Sequence, residues 1–128
     1  MNRPALRAML MLAALTGGPA LAQPDAGRGA AIVANRTLSL CVLCHAVPGQ
    51  PAPLQGTIGP PLAGVGARLD ADTLRQRLLA PERFNPDTVM PAYSRTAGLQ
   101  LVAPTYRDQP LLTPGQIDDV LAYLVGLR

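Results

Sequence analysis

Residues 41–45 read Cys41-Val42-Leu43-Cys44-His45, and they hold both cysteines and the only histidine of a 128-residue chain. Two thiols three positions apart serve three chemistries: a zinc site, a disulfide shuttle, or covalent attachment of a haem. Structural zinc takes four Cys or His ligands, and catalytic zinc usually three protein ligands. These three adjacent residues exhaust the supply, so a fourth ligand would have to be a carboxylate or belong to another chain. A thioredoxin-like C-x-x-C sits near a βαβ pattern, and the sequence has none. C-x-x-C-H is the direct signature of c-type haem attachment. On a helical turn Cys41 and Cys44 share one side at i and i+3, so both sulfurs reach the two vinyl groups of one haem. His45 then falls under the iron as its proximal nitrogen ligand.

A haem held in this way needs a second axial ligand or an open position. Beyond the first 22 residues the one methionine is Met90, in the loop NPDTVMPAY (residues 85–93), where Pro91 fixes the backbone beside it. A thioether is a soft ligand for haem iron, and Met/His ligation raises the reduction potential. With no second histidine and no lysine to compete, Met90 is expected on the iron rather than as a core gap-filler. A histidine ligand also needs an acceptor for its other ring nitrogen. The loop GPPLAG (residues 59–64) offers the Pro60 carbonyl, and Arg68 beyond it is a conceivable neighbour of the haem propionates.

The start of the chain reads as a secretory signal. Arg3 and Arg7 precede an apolar run at residues 8–15, and Ala20-Leu21-Ala22 has the small residues of a cleavage site. The run is far shorter than the ~20 residues that span a bilayer. The expected division is therefore a cleavable signal at 1–22 and one domain at 23–128. Loss of Arg3 and Arg7 leaves nine arginines against eight acids, lowering the net charge from +3 to +1. That balance gives no support to nucleic-acid binding, which needs a concentrated basic patch.

The core looks short of large side chains. Phe84, Tyr93, Tyr106 and Tyr123 are the only aromatics, tryptophan is absent, and 12 of the 14 prolines fall after residue 22. A domain of about 100 residues is already marginal in the area it buries, so a bulky apolar prosthetic group at its centre would be a gain. Residues 25–36 read as a short helix capped by Asp25, with Ala26, Gly29, Ala30 and Val33 forming a small-sided stripe for close approach. Residues 70–80 form a second, capped by Asp70 or Asp72 and closed by Pro81. Thr113 to Gln116 has capping-box spacing with Pro114 at the first helical position, and Ile117, Val120, Leu121 and Leu124 follow at helical period. Between them lie proline- and glycine-rich loops, with LQLV (residues 99–102) a weak strand signal. The fold class is all-α, three to four helices around a covalently bound haem.

C-x-x-C-H, the GP-x-L-x-G loop, the distal Met-Pro and the final amphipathic helix together resemble the small monohaem cytochromes c. The resemblance implies that the first and last helices cross at Gly29 and Tyr123, and that Pro60 accepts the bond from His45. GRGAAIVANR, IGPPLAGVGAR, NPDTVMPAY and LLTPGQIDDVLAYLVGL are further similar to the SoxX family, the small subunit of the SoxAX complexes of bacterial thiosulfate oxidation. Ser94 and Asp118 depart from that pattern, where many relatives have an aromatic and a glutamate. The resemblance implies one covalent haem c, a periplasmic location, no membrane attachment after signal cleavage, and a SoxA partner in a heterodimer. It implies an electron-transfer subunit of an L-cysteine S-thiosulfotransferase, with the catalytic centre on SoxA. Electrons released when thiosulfate is conjugated to a cysteine of the SoxYZ carrier would pass on to a soluble cytochrome c. The residues agree with that division: with both thiols in thioethers and His45 on the iron, no cysteine is left as a nucleophile and no histidine for acid–base work. A free-standing electron carrier is the alternative. Segment 97–112 is longer than a link to the last helix needs, and it is expected either to contact a partner or to cover the haem edge.

Overall fold

The structure is a computed structural model that describes residues 23–128; the signal read at 1–22 lies outside the described residues. Five helices occupy these residues: α1 (Ala26–Ala34), α2 (Cys41–Cys44), α3 (Val65–Arg68), α4 (Ala71–Leu79) and α5 (Pro114–Gly126). Among the described residues there is no strand, and no helix is long and apolar enough to cross a membrane.

The dominant contact is the crossing of α1 on α5. Asp25 caps α1 by accepting from the Arg28 amide at 2.6 Å. α5 starts with a closed capping box: the Gln116 amide donates to Thr113 Oγ1 at 3.3 Å, and the Thr113 amide to Gln116 Oε1 at 2.9 Å. At the crossing a Cβ on Gly29 would collide with the Asp119 carbonyl and with Tyr123 Cβ, so only glycine lets the two backbones meet. Val33, Ile117 and Val120 are buried beneath this contact, with Leu112 just ahead of α5; each contributes about 1.5–3 kcal/mol by leaving water. An ion pair locks the end. Arg28 Nε donates to Asp119 Oδ2 and its Nη2 to Oδ1, both at 2.8 Å, and the Asp25 amide donates to Oδ1 at 2.7 Å. These bonds, Arg28 foremost, hold the Asp119 carboxyl below the usual carboxylate range.

α4 is capped by Asp70, which accepts from the Thr73 amide at 2.7 Å, and it buries Leu74 and Leu78. The four-residue α3 falls where the sequence reads as loop; the Gly66 amide donates to the Leu127 carbonyl at 2.8 Å, tying it to the end of α5. LQLV forms no strand. Gly98 at φ 73° and Leu101 at φ 58° bend the chain, and a left-handed residue interrupts the alternation that a strand requires.

Candidate functional site

The short α2 places the C-x-x-C-H stretch. Leu40, left-handed at φ 63°, turns the chain into it, and the His45 amide closes it by donating to the Cys41 carbonyl at 2.9 Å. Cys41 is buried and Cys44 half-buried. Both face a cavity of about 800 Å³ that also has His45, Pro60 and Met90 in its wall. All five residues singled out from the sequence therefore meet around one space.

The His45 ring is fixed from two sides. Its Nδ1 lies 2.7 Å from the Pro60 carbonyl, an acceptor only, so Nδ1–H donates and Nε2 keeps the free lone pair. A Cβ at residue 59 would overlap the imidazole, so Gly59 is the space in which the ring stands. Arg68, also in the cavity wall, braces this loop, donating through Nη1 to the Ala63 carbonyl at 2.5 Å and through Nη2 to the Pro61 carbonyl at 2.7 Å. Met90, also in the cavity wall, is half-buried against the core, its amide donating to Thr88 Oγ1 at 3.1 Å.

The residues fit a haem. The walls are mainly apolar, with Leu74, Leu78, Val65 and Leu124 among them. A void of this size falls in the range of ligand sites, typically about 300–1,000 Å³. Its donors are two thiols, an imidazole and a thioether, the soft and borderline set that haem iron and its vinyl groups take. Arg77 lines the same wall, and its Nε is buried without a hydrogen-bond partner; a propionate carboxylate would satisfy it. The Arg77 guanidinium rests 4.3 Å from the Phe84 ring centroid. Arg68, a candidate for that role from the sequence, lines the cavity as well and donates to loop carbonyls. Arg77 was legible in one respect: it follows Leu74 and precedes Leu78 at i+3 and i+4, a charge set on the buried stripe of α4.

Tyr93 is the other residue that sequence reasoning left without a role. It is 2% exposed, and its hydroxyl donates to the Ser39 carbonyl at 2.8 Å and lies 3.5 Å from Cys41 Sγ. Burial first, then the neighbouring Cys41, push its phenol well above the ordinary tyrosine range, so it stays protonated.

Segment 97–112 stands away from the cavity: none of it lines the wall. It exposes Leu99, Leu101, Tyr106 and Leu111, Leu101 completely.

An all-α domain that sets C-x-x-C-H and a distant methionine around an apolar cavity has the architecture of a c-type cytochrome. The sequence profile of the family described as cytochrome c matches residues 26–128. A crystal structure of SoxXA from P. pantotrophus is similar to this chain with a TM-score of 0.73 and 31% identity, over 83% of each chain. No curated protein matches. The chain belongs to the cytochrome c family and, within it, to the SoxX cytochromes.

Proposed function

We propose that this chain is the electron-transfer subunit of a SoxAX complex and carries one haem c. Cys41 and Cys44 would hold the haem through thioethers, with His45 and Met90 as the axial iron ligands. The observation that carries the reading is the meeting of these four side chains, from two distant stretches of sequence, around one apolar cavity. Bound there, the haem supplies one-electron redox chemistry. The chain's own residues do the rest. The Pro60 carbonyl holds His45 in the tautomer that presents Nε2 outward, and Gly59 keeps the ring's place clear. Leu74, Leu78 and Val65 exclude water, which keeps the reorganisation around a changing charge small. Met90 makes the reduced state easier to reach by raising the potential.

With Cys41 and Cys44 in thioethers the chain would have no thiol, and with His45 and Met90 both holding the iron it would offer a sulfur substrate no place to bind there, so the sulfur chemistry would fall to the partner, SoxA. Electrons released there, as thiosulfate is conjugated to a cysteine of the SoxYZ carrier, are accepted here and passed to a soluble cytochrome c. The Arg-led, apolar start at 1–22 supports export to the periplasm with cleavage before Gln23. Segment 97–112, with its exposed Leu99, Leu101 and Tyr106, is proposed as part of the SoxA contact; deletion of 99–109 should abolish pairing while leaving the haem ligands in place.

Native mass spectrometry of the tagged chain from its own host's periplasm tests the reading. The expected species is a stable complex with a second cytochrome, this chain starting at Gln23 and bearing one covalent haem. A solitary haem-bearing chain would overturn the subunit reading in favour of a free carrier.

A further inference from the structure

Tyr93 is anchored at four points. Its hydroxyl donates to the Ser39 carbonyl and touches Cys41 Sγ. Its amide donates to the Leu78 carbonyl at 2.9 Å, and its own carbonyl accepts from the Leu112 amide at 3.1 Å. Ser39 is fixed in turn: it is fully buried and its hydroxyl donates to the Ile32 carbonyl at 2.7 Å. Met90, three residues before Tyr93, has only the bond to Thr88 within its own loop. Between the two run Pro91, whose ring fixes φ, and Ala92. The lever from Tyr93 to Met90 is short and stiff, and its far end is tied to the segment that presents Cys41.

A hydroxyl at this depth is not needed to fill volume, since phenylalanine has nearly the same shape. Burying it without a partner would be costly; here it has one. A sulfur in a thioether has no proton to give and accepts only weakly, so the phenol O–H keeps donating to the Ser39 carbonyl whether or not Cys41 is alkylated.

We infer that Tyr93 is a positioning residue: its hydroxyl joins the Met90 loop to the Cys41 segment and so holds the methionine sulfur at the iron. The inference rests on the reading of Met90 as an axial ligand.

The test uses the full haem-bearing protein with Tyr93→Phe, which keeps the ring packing. Imidazole is titrated against the oxidised protein, and displacement of the methionine is followed by loss of the long-wavelength sulfur–iron band. The half-displacing concentration should fall about fivefold, the worth of one net hydrogen bond, while Tyr123→Phe, at a residue that is not part of the cavity wall, leaves it unchanged. A Tyr93→Phe protein that melts earlier but resists imidazole as the wild type does would overturn the inference, because the hydroxyl would then serve only the core. A wild-type protein lacking the band would remove the Met90 ligand and this inference with it. A wild type with the band and an unaltered variant would remove this inference alone.

Discussion

The α1–α5 crossing and the Met90 loop border the same core, and they are held by different means. At the crossing, Gly29 admits direct backbone contact, and Arg28, Asp25 and Asp119 close the end with three bonds between 2.7 and 2.8 Å. From Pro81 to Leu112 the only regular structure is two single 3-10 turns, Pro81–Arg83 and Pro104–Tyr106, and the inner side of its first part faces a cavity of about 800 Å³. One region is complete in its own side chains. The other is shaped around a group the chain does not itself supply, and its order should depend on that group.

Removal of the attachment points should have the largest effect. A Cys41→Ser/Cys44→Ser chain, unable to hold a haem, is expected to lose cooperative unfolding altogether, read by near-UV circular dichroism and thermal melts. A well-structured, sharply melting variant would erase the contrast between the two regions. Next is Gly29→Leu, which drives a side chain into the Asp119 carbonyl. Overpacking of this kind costs about 1–3 kcal/mol or more, so the melting temperature of the haem-bearing protein should drop by several degrees with the haem spectrum intact. A changed spectrum would mean the regions are coupled more tightly than described.

Asp119→Asn should act less strongly and in a pH-dependent way. Arg28 and the Asp25 amide depress the folded-state pKa of Asp119, so the stability they contribute is full above the ordinary aspartate value of about 4 and is lost as pH falls through the lower folded value. The variant should melt a few degrees below wild type at pH 7, and the gap should close in acid. A constant gap would assign the loss to packing. Smallest is Leu101→Gly. Leu101 is left-handed at φ 58° and wholly exposed, so glycine relieves strain of about 1–2 kcal/mol against a backbone-entropy cost of about 0.5–1 kcal/mol. Urea denaturation should show a gain of about 0.5 kcal/mol; a loss would mean the side chain has a partner within the chain.

Legibility in the sequence followed the same division. The capping box at Thr113, the Gly29 stripe and C-x-x-C-H are local patterns whose physics is complete within a few residues, and the fold places each as read. What escaped depends on distant partners. α3 is held by the Leu127 carbonyl, some sixty residues on, and no short window contains that bond. LQLV has strand composition, yet a left-handed Leu101 turns its apolar side chain out to solvent. Arg68 and Arg77 are equivalent by type and both line the cavity; only the tertiary structure shows the first donating to loop carbonyls and the second with a buried, unpartnered Nε. Tyr93 reads as one more core aromatic until its hydroxyl is seen against Ser39 and Cys41.

The central claim is that a covalently held haem completes the cavity side of this domain. Intact-mass spectrometry of the denatured chain, purified from its own host and treated with a thiol reagent, tests it most directly. The expected mass is that of residues 23–128 plus one haem, with no thiol labelled. A haem-free mass, with Cys41 and Cys44 labelled or joined to each other, would contradict it.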